Sequence, residues 1–201
     1  MTVTLARIAV AQNFAYEIEE RSLRAGVKPL AEHELAGGER EVRIWLGFGM
    51  IEPETFTRIR ADGGLVQGRK TFSWTHATRA EEAAAERDPN LISNGELYAN
   101  LRKTAACGPR RRRGEYEMCS ARLAAGQSWQ AILQSLDSLG IGDLANGNSI
   151  GMDGWHLVVE VRDSASYRTY SFFMPDAAAA GPQERRAAAI VEVVGRIGYR
   201  E

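Results

Sequence analysis

The segments WHLVVEVR (155–162), DSAS (163–166) and YRTYSFFM (167–174) decide the fold class of this 201-residue chain. The outer two alternate apolar and polar side chains, the period of a pleated strand. The middle one is rich in turn formers. Pairing Arg162 with Tyr167 across that turn puts Val161 opposite Arg168, Val159 opposite Tyr170, Leu157 opposite Phe172 and Trp155 opposite Met174. These residues share one face and are nearly all large and apolar, so a slip of one residue would turn the whole set outward. His156, Glu160, Arg162, Tyr167, Thr169 and Ser171 share the other face, which is expected to be partly exposed.

Working outward, residues 128–139 read as a helix. Trp129, Ile132, Leu133, Leu136 and Leu139 recur at helical spacing, Ser128 suits the N-cap and Gly140 the C′ position. With Gly140 there, Leu136 and Ile141 are placed for the apolar contact of a Schellman ending. A last helix is expected after Pro182, with Ala187, Ile190, Val191, Val194 and Ile197 on one stripe. Toward the N-terminus, Val42, Ile44, Leu46 and Phe48 alternate along 41–49, and Asp62-Gly63-Gly64 marks a tight turn. Residues 13–25 suggest a short helix capped by Asn13, with Phe14, Ile18, Ser22 and Ala25 on one face. Residues 79–87 and 96–103 suggest two further helical pieces.

The chain is thus expected to be a single α+β domain. An N-terminal helix and connection occupy 1–40, a β-meander 41–74, and a helix with an arginine-rich loop 75–127. A helix, the long hairpin and a C-terminal helix fill 128–201. The fold expected is an antiparallel sheet of about five to seven strands with three or four helices packed mainly on one face.

Hydrophobic content of 44% and charged content of 25% are those of an ordinary globular protein. A net charge of −1 gives no global field toward nucleic acid or an anionic membrane. Lys28, Lys70 and Lys103 are the only lysines among 25 basic residues, a bias that fits a bacterial, GC-rich genome. No apolar run approaches the ~18 to 20 residues that span a bilayer. The start of the chain is too short in apolar residues, and too interrupted by Arg7, to read as a signal peptide.

The candidate functional residues are few. Arg110, Arg111, Arg112 and Arg113 stand between Pro109 and Gly114, a turn-bounded run able to reach phosphates or acidic protein surfaces. Trp45 falls opposite Val42, Ile44, Leu46 and Phe48, so either the sheet is covered on both sides or Trp45 belongs to a contact surface. Cys107 and Cys119 can close a loop worth roughly 3 kcal/mol in chain entropy if oxidised. Their spacing fits no zinc pattern, and His33, His76 and His156 form no metal set with neighbouring carboxylates. His156 shares a hairpin face with Glu160 and Ser171, the one grouping that hints at acid–base chemistry.

Gly47-Phe48-Gly49 and Gly140-Ile141-Gly142 stop short of a dinucleotide fingerprint. No cofactor and no metal are therefore expected. The reading favours a non-catalytic binding protein of the inhibitor, immunity or envelope-accessory type with a protein partner. Behind it stand a phosphate- or nucleic-acid-binding accessory using Arg110–Arg113, and a hydrolase assembled around His156. The chain as it stands reads as cytoplasmic, and as periplasmic or secreted if a signal was removed and Cys107–Cys119 is oxidised.

Overall fold

A computed structural model describes residues 17–49, 53–88, 90–104, 107–147, 154–175, 178 and 181–198. Asn13 and Phe14 lie outside them. The fold is α+β, built on one sheet of seven antiparallel strands in the order β4-β5-β3-β2-β1-β6-β7. These are β1 (Arg40–Gly49), β2 (Glu54–Asp62), β3 (Leu65–Thr75), β4 (Arg111–Arg113), β5 (Tyr116–Ser120), β6 (Trp155–Asp163) and β7 (Tyr167–Phe173). The helices among the described residues are α1 (17–25), α2 (Arg79–Ala85), α3 (Asn94–Thr104), α4 (Trp129–Ser138) and α5 (Pro182–Gly195).

The long hairpin has the register read from its alternation: Arg162 pairs with Tyr167, Val159 with Tyr170 and Leu157 with Phe172. Asp163 closes the turn by accepting from the N–H groups of Ala165 and Ser166. The turn between β2 and β3 is the expected Gly63-Gly64, with φ of 54° and 96°, the left-handed pair that matches strand twist.

One face carries the main core. Val42, Ile44, Ile59, Leu157, Val159 and Phe172 pack beneath Leu133 and Leu136 of α4 and Ile190 and Val194 of α5. The α4 ending is a Schellman motif: Ile141 N–H donates to Leu136 C=O and Gly140 N–H to Asp137 C=O, with Leu136 and Ile141 fully buried. Gly68 on β3 lies directly under the Trp129 indole, and any Cβ there would collide with the ring. Lys70 on the same strand is buried, and its Nζ donates to the carbonyls of Val194, Gly195 and Ile197. It thereby satisfies the orphan acceptors at the end of α5. Burial lowers its pKa to about 8. Farther along the same face, Leu101 of α3 packs on Phe72, Trp74 and Cys119.

The opposite face carries a smaller covering layer. Ile18 and Ala25 of α1, with Val27, pack on Trp45, Phe56 and Val158, so the sheet is covered there as well. That layer also changes the second hairpin face. Glu160, expected to be partly exposed, is fully buried. Alternation tells which face a side chain takes, and a covering layer decides whether that face meets water. The β1 alternation ends early too: a bulge after Leu46 brings Phe48 into register with His156.

Candidate functional site

The arginine run is an edge strand and not a loop. Arg111–Arg113 pair with Met118, Glu117 and Tyr116 of β5, and Gly114-Glu115 form the two-residue turn between them. Because strand side chains alternate, the run divides between the two faces of the sheet. Arg111 and Arg113 lie on the α1 side and Arg112 on the other. Arg110, just before the strand, turns to Glu117. Cys107 and Cys119 form a disulfide, with Cα atoms 5.9 Å apart, that ties the segment leading into β4 to the end of β5.

Glu117, 7% exposed, is the centre of a polar cluster. Its Oε2 accepts from Trp74 Nε1 at 3.2 Å and pairs with Arg110 Nη1 at 3.0 Å. Its Oε1 lies 3.1 Å from His76 Nδ1. His76 and Arg110 remain open to solvent at side-chain exposures of 37% and 42%. Both line a cleft of about 630 Å³ whose far wall is α2, through Thr78, Glu82, Ala83 and Glu86. A capping box between Thr78 and Glu81 fixes the start of that helix. A buried carboxylate thus holds one nitrogen of an imidazole that lines the cleft.

A second cluster, on the same side of the sheet as α1, is more deeply buried, with Arg58 its partly exposed member. Glu41 Oε1 accepts from Arg43 Nε at 2.7 Å and Arg58 Nε at 2.8 Å, and its Oε2 from Arg58 Nη2 at 2.7 Å. Arg43 also donates to Lys28 C=O. Burial pushes the Glu41 carboxyl upward, but its bonds to Arg58 and Arg43 outweigh that and hold it below the usual range. Beside it, Glu160 accepts from Trp45 Nε1 at 2.7 Å and Tyr167 Oη at 3.0 Å. Burial dominates there, and the Glu160 pKa is raised. Trp45 is 4% exposed, stacked on Phe56 and bonded to Glu160, so the covered-sheet alternative describes it and it offers no contact surface.

His156 packs its ring edge-on against Phe173, at 5.1 Å between centroids, and burial lowers its pKa. Glu160 turns to Trp45 and Tyr167, so these contacts do not join His156 to that carboxylate. His76–Glu117 is an imidazole–carboxylate pair at hydrogen-bond distance beside a cleft, whereas His33 stands 3.8 Å from Glu41. The residues of the His76–Glu117 pair were missed from the sequence because Trp74 meets Glu117 only through the pairing of β3 with β5.

The strand arginines divide by position. Arg40, Arg43, Arg58, Arg60 and Arg168 each reach a carboxylate, and Arg162 a main-chain carbonyl. At the β4 end, Arg69 reaches only the Ser120 hydroxyl and Arg112 only the Gly114 carbonyl. Arg111 and Arg113 have no hydrogen-bond or ion-pair partner among the described residues. A scan against protein-family models finds no match, and searches of curated proteins and of solved structures find none either. Among the described residues no group of His, Cys, Asp and Glu is arranged to hold a metal ion, and no helix is long and apolar enough to cross a membrane.

Proposed function

We propose that the chain is a non-catalytic interaction protein of the inhibitor, immunity or accessory type, and that the β3–β5–β4 end of the sheet is its contact surface. The observation that carries this reading is the unequal treatment of arginine. Arg40, Arg43, Arg58, Arg60 and Arg168 each meet a carboxylate within the fold, whereas Arg69, Arg111 and Arg113 are exposed and have no carboxylate in reach among the described residues. Exposed charges contribute little to folding, yet guanidinium groups on an ordered strand are well placed for bidentate contacts. The disulfide that anchors this hairpin supports an oxidising compartment.

A photo-crosslinking residue introduced at position 111 in the native host should yield a discrete protein adduct. The same probe at position 134, on the exposed side of α4, should not. Adducts at 134 alone, or at neither position, would sink the reading.

The His76–Glu117 pair supports a second reading, an enzyme that uses His76 as general base, because an oriented imidazole beside a cleft is the usual equipment for proton transfer. Hydrolysis of ester or phosphoester substrates that disappears in His76→Asn would favour it over the first.

A further inference from the structure

The same surface also specifies what it holds, an inference that rests on the interaction reading above. On the side of the sheet away from α4 and α5, strand register places Arg69, Ser120, Arg111, Tyr116 and Arg113 in one band around Met118, which is itself buried beside Arg21 and Arg24 of α1. Ser73 pairs with Met118 and Met118 with Arg111, while Thr75 pairs with Tyr116 and Tyr116 with Arg113. Arg69 lies four positions along β3 from Ser73 and two strands from β4. At a rise of ~3.3 Å and a strand spacing of ~4.8 Å, Arg69 and Arg111 stand roughly 16 Å apart. That is the span of about five extended residues.

Arg69 stands directly across from Arg58, a like-charge pairing that disfavours the fold. Glu41 neutralises Arg58, and Arg69 is left to an incoming acid. Keeping the sheet edge from pairing with another chain would account for arginines on β4. It does not account for Arg69, which sits on an interior strand. Stacking of nucleic-acid bases is disfavoured because the aromatic ring in the band, Tyr116, is already covered by the Arg24 guanidinium, 3.6 Å from its centroid. The net charge of −1 adds no long-range attraction for a polyanion.

We propose that this band docks an extended acidic segment of a partner protein. Two carboxylates two residues apart meet Arg111 and Arg113, and a third, about five residues away, meets Arg69. The test titrates the intact protein into fluorescein-labelled oligoglutamate, oligoglutamine and oligothymidylate of equal length. Oligoglutamate should bind, weaken with added salt, and lose about tenfold in affinity when Arg69→Ser and Arg111→Ser are combined. Arg112→Ser, on the opposite face, should bind as the wild type does. Equal binding of oligoglutamine, tighter binding of oligothymidylate, or an equal loss from Arg112→Ser would each overturn the proposal. Failure of oligoglutamate to bind would overturn it too. A crosslink at position 111 would then still uphold an interaction protein, with a partner of different chemistry.

Discussion

Glu41 and Glu117 are both buried carboxylates that receive arginine, but they sit in different parts of the sheet and have different partners. Around Glu41 both Arg43 and Glu41 are fully buried, and Arg58 pairs with the second carboxylate oxygen from a partly exposed position. Around Glu117, near the β4 edge, the partners Arg110 and His76 stay partly exposed beside a cleft. In the first cluster Glu41 and Arg43 are shut away from solvent and only Arg58 and His33 reach it, at side-chain exposures of 32% and 26%. The second has capacity left over, and the uncompensated arginines of the same end extend it. The difference between the two clusters is therefore one of degree of enclosure, and it is the basis of the proposal that the β3–β5–β4 end is the contact surface.

The comparison breaks most easily at Glu41. Glu41→Gln leaves a fully buried Arg43 without its carboxylate, and removal of one partner from such a pair costs about 3–5 kcal/mol. Glu117→Gln should cost about 1–3 kcal/mol, because Arg110 and His76 can turn to water and the Gln carbonyl can still accept from Trp74, so that only the charge is lost. Urea denaturation of both variants measures the difference. Equal losses would show that the two clusters are alike in kind.

The disulfide sharpens the contrast between the ends of the sheet. Replacing Cys107 and Cys119 together by Ser should cost about 2–4 kcal/mol through the freed loop. Hydrogen-exchange protection should fall first over residues 107–120, while residues 155–173 keep theirs. Uniform loss across both hairpins would mean that the arginine-bearing end is no less anchored than the centre.

Those two hairpins also show what could be read from the chain beforehand. In 155–174 an alternating apolar face and a short turn leave one sensible register, and the structure has it. The α4 ending was legible for a similar reason, since Ser128, Leu136, Gly140 and Ile141 each occupy a position with its own local chemistry. Arg111–Arg113 carry no apolar alternation, and three arginines have no local reason to be a strand. Their pairing is decided by β5, which itself pairs with a strand some 43 positions away at Trp74 and Glu117. The His76–Glu117–Arg110 cluster was hidden for that reason. Trp45 did leave a signal, an indole on the polar face of β1, but choosing between a covering layer and a contact surface required α1 to be in place.

The two carboxylates of the central network allow a pH test with opposite signs. The Glu41 pKa is lowered in the fold, so its contribution is present above the ordinary value of 4.5 and is lost as pH falls through the folded value. The Glu160 pKa is raised, so its contribution is full below 4.5 and is lost as pH rises through the folded value. Glu160→Gln removes the second dependence and can still offer Trp45 an acceptor. The wild type should therefore lose stability relative to this variant as pH is raised from 4.5, read from urea midpoints at each pH. A difference of the opposite sign would mean that the charge of Arg43 outweighs burial at Glu160, and that the network is more fully compensated than its geometry implies.

The smallest expected effect is the one on which the working-surface reading depends. Arg111→Ser and Arg113→Ser, singly or together, should change stability by less than about 0.5 kcal/mol. Neither guanidinium has a hydrogen-bond or ion-pair partner to lose among the described residues, and both residues are exposed. The Arg113 guanidinium lies over Gly26, where φ is +74° and an added Cβ would collide with it. Shortening Arg113 removes that packing over Gly26 but breaks no hydrogen bond or ion pair among the described residues. If thermal melts show a loss comparable with that of Glu117→Gln, these arginines belong to the folded framework, and the division between a compensated centre and an available end would have to be given up.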